Sequence, residues 1–333
     1  MSLKISLYSP ELFETNDDVD IIFEVTNTAN HAVSILKWFT PLEGLRSSCL
    51  LIKSGNKIIR YEGIKVKRGE PDQESFLEIE PGESVSQKIS LEEAYNLPLS
   101  GNIKVKFDLN MVFAIDDLKK NIKIVSQYNR LKINQLAAVG CVFKLNRKNK
   151  KVMTFGAKMQ GAKVSKLKTN ALKEPKVKDM STDEAKKIKT AHSNGYALAK
   201  AALTSLANDP KYVKWFGAHN AARFAEVKRV FGKVKSGLEA VEFTYINNGP
   251  SCESKDIAYT ADGSDKIWLC KGFWSLGATG VDSQAGTIVH EHSHTSGFTD
   301  DHEYGIAKCV QLAKDDPEKA IDNGDSYQFY SET

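Results

Sequence analysis

The spacing of apolar and polar positions changes twice along the chain. From Lys4 to about Leu109, short apolar runs are separated by Gly, Pro and Asn. Val19–Asn27 (VDIIFEVTN) reads as a strand ending in turn residues. Ala32–Trp38 (AVSILKW) follows closely enough for the two to form a hairpin. Cys49–Lys53, Lys57–Tyr61, Ser75–Ile79, Ser84–Ile89 and Ile103–Asn110 continue the series. Short strands at this spacing predict an all-β domain over residues 1–110, an antiparallel sandwich of immunoglobulin type. Over residues 111–180, Val112–Ile115 and Ala137–Phe143 are apolar enough to be buried. Lysines then crowd the chain from Lys144 to Lys189 with few large apolar residues, the composition of a solvated linker. After that the period becomes helical. Ser181 and Glu184, three apart, make a capping box for a helix running through Ala191, Tyr196, Ala199 and Leu203 to about Ala207, before Pro210. A second helix is predicted over His219–Lys235, with Ala222, Phe224, Val227, Val230 and Phe231 on its buried side. Phe243–Ile246, Ile257–Thr260 and Lys266–Leu269 read as a small antiparallel sheet. Further helices are expected over Asp282–Gly297, over Ile306–Ala313, and from Pro317. Residues 181–333 are thus an α+β domain.

Chemistry concentrates in DSQAGTIVHEHSHTSGFTDDHEYG, residues 282–305. Asp282 and Ser283 are helix-capping residues, Ala285, Ile288 and Val289 give an apolar face, and Gly297 is a natural terminator. Within that helix His290-Glu291-His292-Ser293-His294 is an H-E-x-x-H pattern. Histidines four apart project from one face and can reach one metal ion, with Glu291 beside them as a base for a metal-activated water. A catalytic Zn2+ takes three protein ligands and keeps a fourth position open. Asp300, Asp301, His302 and Glu303 are on offer for the third. His294-x-x-Gly297-x-x-Asp300 copies metzincin spacing with aspartate for the last histidine, but that register needs a methionine turn, and the last methionine is Met180. Tyr304 follows Asp301 by three, so a helical turn would set both on one side. His292 is expected to face away from the metal, His302 to be a bystander, and His192 and His219 to be surface or packing residues.

Thr299-x-Asp301-x-x-Tyr304-Gly305, with Trp268-Leu269-Cys270, Gly272-Phe273-Trp274 and Thr279–Thr287 upstream of it, resembles the aspzincin zinc metalloendopeptidases, the deuterolysin and peptidyl-Lys metalloendopeptidase family. Tyr212–Gly217 and Asp322–Phe329 are also similar, and the likeness covers roughly residues 180–333. It implies a zincin-like metalloprotease domain with His290, His294 and Asp301 as zinc ligands, Glu291 as general base and Tyr304 as donor to the developing oxyanion. The gap from His294 to Asp301 is shorter than in the fungal peptidyl-Lys enzyme, which keeps Asp300 as a minority candidate. The likeness places Asp325 in an S1′ pocket that would favour Lys or Arg just after the cleaved bond. Gln328 stands where the lysine-specific enzyme has a second acid, so the preference would be looser. Asp325 could equally be a helix cap or a surface carboxylate. A disulfide between Cys252 and Cys270 is implied as well, and spacing alone does not fix it. Trp38–Gly44 resembles the family's propeptide, the alternative for this domain being an accessory binding module. The resemblance therefore implies a secreted zymogen whose N-terminal domain inhibits the second intramolecularly, with residues 111–151 a candidate cover for the cleft. Activation cuts are expected between about Lys158 and Lys189, and the substrates are proteins and peptides.

Composition narrows the alternatives. At 333 residues the chain can bury two cores. A formal charge of +4 is small for this length, and the lysine tract lacks interleaved aromatics, so no nucleic-acid partner is expected. No apolar run is long enough to span a bilayer. The N-terminus, MSLKISLYSPELFETNDD, lacks the apolar core of a secretory signal, so the protein is either intracellular or has its signal outside this sequence, and the family likeness implies the second. Five cysteines leave at least one unpaired within the chain, and none has the C-x-x-C spacing of a cysteine zinc site. The rival reading, a non-catalytic secreted binding or adhesion protein with a vestigial zinc site, is disfavoured because a degenerate site usually loses its base, and Glu291 is present.

Overall fold

The computed structural model describes residues 3–14, 17–108, 112–116, 129–130, 139–149 and 172–333. In chain order the strands before residue 150 are β1 (Leu3–Tyr8), β2 (Leu12–Phe13), β3 (Asp20–Asn27), β4 (Val33–Leu36), β5 (Leu50–Ser54), β6 (Lys57–Ile59), β7 (Lys65–Arg68), β8 (Phe76–Ile79), β9 (Ser84–Ser90), β10 (Ser100–Phe107), β11 (Phe113–Asp116), β12 (Asn129–Arg130) and β13 (Gly140–Asn146). The chain divides into two compact units. The first is Met1–Ile64 with Pro71–Lys158, the second Lys65–Glu70 with Met159–Thr333.

The first unit is all-β among its described residues and holds three sheets, ordered β1-β3-β9, β2-β13-β10-β5-β6 and β12-β11-β4-β8. Alternate positions such as Ile21, Phe23, Val25, Ile103 and Val105 fill its core. Two expectations change. β3 and β4 are not a hairpin: β3 pairs with β1 and β9, and β4 with β8 and β11. All four residues of β4 are buried, and a central place in a sheet covers them where a hairpin arm would expose one face. The β2–β13 pair is parallel, so the unit is not a purely antiparallel sandwich. After residue 111, the described apolar segments enter this unit's own sheets as β11 and β13. Ala137 and Ala138, and the lysine-rich stretch 150–171, lie outside the described residues.

The second unit carries β14 (Lys176–Lys178), β15 (Thr244–Asn247), β16 (Asp256–Thr260) and β17 (Lys266–Leu269), with β7, in the order β14-β15-β17-β16-β7. The sheet is mixed rather than antiparallel. β16 and β17 form a hairpin, and β17 inserts beside β15, which forces those two to run parallel. β14 pairs in parallel with β15, so the end of the lysine-rich stretch is sheet and not solvated linker.

Around this sheet lie α1 (Thr182–Ser205), α2 (Pro210–Phe216), α3 (Ala221–Ala240), α4 (Gln284–Thr295), α5 (Ile306–Asp315), α6 (Pro317–Ala320) and α7 (Gly324–Glu332). The capping box forms as read: Ser181 Oγ accepts from Glu184 N, and the Glu184 carboxylate accepts from Ser181 N. Trp215, Phe216, Phe231, Ile288, Tyr327 and Tyr330 share one core. A disulfide joins Cys252 to Cys270, fastening the β15–β16 connection to the end of β17. Among the described residues no helix is long and apolar enough to cross a membrane.

Candidate active site

The site is built on α4. Ser283 caps the helix by accepting from Gly286 N, and every residue from Gln284 to Thr295 is buried. α4 packs against α1, α3 and α7, so its polar face points into the protein rather than into water. From that face His290 Nε2 and His294 Nε2 approach to 3.1 Å. The loop after α4 returns Asp301 to the same point, with Oδ1 3.4 Å from His290 Nε2 and Oδ2 3.3 Å from His294 Nε2. Backbone hydrogen bonds fix this loop to the start of α7: Asp300 N donates to Asp322 O, and Gly324 N to Asp300 O. Asn323 Oδ1 accepts from His302 N and Glu303 N. Residues 301–304 are therefore irregular loop with a bend at His302, and Tyr304 is placed without the helical turn that its spacing from Asp301 suggested.

These three side chains could hold one metal ion. An ion with tetrahedral bonds of about 2.0–2.1 Å separates its donor atoms by roughly 3.3–3.4 Å, and the distances above are edges of that size. Both oxygens of Asp301 and both of Glu291 are buried with no hydrogen-bond partner among the described residues. Buried carboxylates left so are costly unless a cation meets them. The outer nitrogens both face oxygens. His294 Nδ1 lies 2.9 Å from Thr299 O, and His290 Nδ1 lies 2.8 Å from Asp325 Oδ1. Each contact orients its ring and leaves Nε2 for a ligand. The donor set fits zinc.

Electrostatics agree. Burial works to raise Asp301, but the imidazoles of His294 and His290 outweigh it and hold the carboxyl well below the usual range. Burial lowers His290, whereas Asp301 overcomes burial at His294 and holds it up at about 9. Glu291, desolvated by burial, is pushed up to about 8.

β7 lies next to this cluster as the edge strand of the sheet, antiparallel to β16, and all four of its residues are buried. Tyr304 Oη donates to Val66 O at 2.6 Å. Lys67 Nζ donates to Asp325 Oδ1 at 2.9 Å and lies 3.4 Å from Asp282 Oδ1. Asp325 thus serves two partners, His290 and Lys67, and it also accepts from Gly305 N through Oδ2. It is neither a surface carboxylate nor merely a cap. Gln328 brings no charge of its own, but its Nε2 donates to Asp282 Oδ1, so Asp282 stands as the second acid beside the Lys67 ammonium.

The structure brings His290, Glu291, His294, Asp301, Tyr304 and Asp325 together. Asp300 instead turns toward Lys65, 4.0 Å away. His292 faces away: its Nε2 meets Tyr245 Oη at 2.9 Å, and Tyr245 Oη also meets His192 Nδ1 at 2.8 Å. His302 pairs with Asp322. Sequence reasoning missed Lys65, Lys67, Asp262 and the approach of Asp325 to His290. Lys65–Arg68 (KVKR) shows no apolar alternation, because its buried lysines are matched by carboxylates rather than by apolar side chains.

Three comparisons with known proteins follow this geometry. A profile of the aspzincin family, described as lysine-specific metallo-endopeptidase, matches residues 201–332. An extracellular protease of Aeromonas hydrophila is 27% identical over 325 residues, covering 96% of this chain and 89% of that protein. A peptidyl-Lys metalloendopeptidase of Pleurotus ostreatus is 32% identical over 152 residues, covering 44% of this chain and 89% of that protein. Among solved structures, a zinc peptidase from Grifola frondosa is 31% identical, covering 46% of this chain and 96% of that one, at a TM-score of 0.43.

Proposed function

The chain belongs to the aspzincin family of metallo-endopeptidases, and on that premise we propose that it is a secreted zinc endopeptidase made as a zymogen, which cuts before lysine and less strictly before arginine. The observation that carries this reading is the cluster of His290 Nε2, His294 Nε2 and an Asp301 oxygen on the edges of one tetrahedron, with the carboxylate of Glu291 alongside and unpartnered. His290, His294 and Asp301 would hold Zn2+, which when bound polarises the peptide carbonyl and acidifies the attacking water. Glu291 Oε takes up the proton released in the attack and returns it to the leaving amine. Tyr304 Oη donates to the carbonyl oxygen as negative charge builds there, the kind of contact it makes to Val66 O. Asp325 and Asp282 receive the side chain after the cut, and their two charges favour an ammonium over any neutral group.

Zymogen latency is supported by β7. The strand fills the edge of the catalytic sheet as an added peptide would, places the Val66 carbonyl at Tyr304 and delivers Lys67 to Asp325. The inhibitory segment is therefore Lys65–Arg68 rather than residues 111–151. Lys176–Lys178 is part of the catalytic sheet, so the activating cut falls between about Lys158 and Pro175, ahead of β14. The all-β unit, immunoglobulin-like in its short alternating strands, is the propeptide domain on this reading. The test is casein hydrolysis by the activated protein, with chelator and with Glu291→Gln. Hydrolysis that is lost in both, with zinc retained in the variant, is expected. Zinc bound without hydrolysis by the unsubstituted protein would refute the reading.

A further inference from the structure

β7 carries more information than latency. Two contacts fix its register against the proposed chemistry. Tyr304 Oη holds the carbonyl of Val66, and Asp325 holds the ammonium of Lys67. The Val66–Lys67 peptide bond thus stands where cleavage would occur, and Lys65 is the second residue before it. Residues two apart on a strand share a face, so Lys65 and Lys67 project to the same side. Lys65 has a receptor of its own there. Its Nζ donates to Asp262 Oδ1 at 2.6 Å and to the carbonyl of Thr299 at 2.5 Å, and lies 4.0 Å from Asp300 Oδ1.

The Lys65 side chain is 3% exposed. An ammonium so buried is destabilising unless paired. Here burial would lower its pKa, but Asp300 and Asp262 overcome that and hold it up at about 12. Asp262 belongs to the β16–β17 turn, and Thr299 and Asp300 to the loop that delivers Asp301. The carbonyl of Thr299 also meets His294 Nδ1. The receptor is therefore assembled from elements of the catalytic unit and lies beside the metal ligands.

We infer that Asp262, with Asp300 and the carbonyl of Thr299, forms a second specificity subsite that takes lysine two residues before the scissile bond. Substrates of the form Lys-X-Lys, cut between X and the second lysine, are preferred over X-Lys alone. This rests on the endopeptidase reading above, and the experiment separates the two. Two internally quenched peptides differ only at this position, one containing Ala-Lys-Val-Lys-Ala and the other Ala-Ala-Val-Lys-Ala. Both are offered to the activated protein, and to its Asp262→Asn and Asp262→Lys variants once thermal unfolding has shown them folded. A charge-assisted hydrogen bond predicts about a 10- to 100-fold higher kcat/KM for the lysine peptide. Asp262→Asn brings that ratio toward one, and Asp262→Lys inverts it and favours a third peptide with glutamate there. Cleavage before the second lysine with no preference two residues earlier overturns the subsite and leaves the endopeptidase reading standing, as does a preference that survives Asp262→Asn. Failure to cut any of the peptides, or casein, removes both.

Discussion

Tyr304 and Gly324 show how narrowly single residues set the site. Tyr304 Oη already holds a peptide carbonyl, Val66 O, and so has the reach of an oxyanion donor. Tyr304→Phe deletes that one hydroxyl. Loss of one such donor costs about 3 kcal/mol in the transition state, so kcat is expected to fall about 100-fold with little change in KM. Steady-state kinetics on a lysine-containing peptide would check this, and a wild-type kcat would leave Tyr304 a packing residue. At Gly324, a Cβ would lie 2.8 Å from His290 Cε1 and 3.0 Å from His294 Cε1. Gly324→Ala must therefore displace the imidazoles. Zinc affinity, measured by competition with a chromophoric chelator, is expected to weaken at least 10-fold, in the range of losses seen when ligand-orienting groups are disturbed.

At the scale of elements, α4 is wedged between α1 and the sheet by a chain of buried polar contacts, His192–Tyr245–His292. Burial lowers His192 from 6.5 to about 4, so it is neutral when folded, with Lys173 O 3.0 Å from its Nε2. In the unfolded chain the same imidazole takes up a proton below about 6.5. Its contribution is therefore fully present above 6.5 and is lost progressively as pH falls from 6.5 to 4, by up to about 3 kcal/mol. Denaturant titrations across that window should show the slope, and His192→Gln should flatten it.

The elements also show what a sequence can carry. α1 and α4 were legible because caps, apolar period and the H-E-x-x-H spacing coincide in them, and the T-x-D-x-x-Y-G pattern pointed to Asp301. Strand partners were not, because β3 and β4 choose neighbours distant in sequence. β7 was invisible for a different reason: Lys65, Lys67 and Arg68 are buried by pairing with Asp262, Asp325 and Asp256, contacts that no local pattern records.

For the molecule as a whole, the proposed latency and the proposed specificity draw on the same strand. Lys67 is 1% exposed between Asp325 and Asp282, and removing one partner of a buried ion pair typically costs 3–5 kcal/mol. In the unprocessed chain, Lys67→Ala should loosen β7 from β16. Hydrolysis of a small peptide before any self-cleavage is then expected to rise at least 10-fold, while a fully latent variant would argue against inhibition by this strand. The expectations about catalysis depend on a metal at His290, His294 and Asp301. Elemental analysis of the purified chain beside its Asp301→Ala and Asp300→Ala forms tests that most directly. A single zinc ion per chain, lost on Asp301→Ala and kept on Asp300→Ala, is the expected result. Zinc retained by Asp301→Ala, or lost from Asp300→Ala instead, would contradict the metal centre and the hydrolytic chemistry built on it.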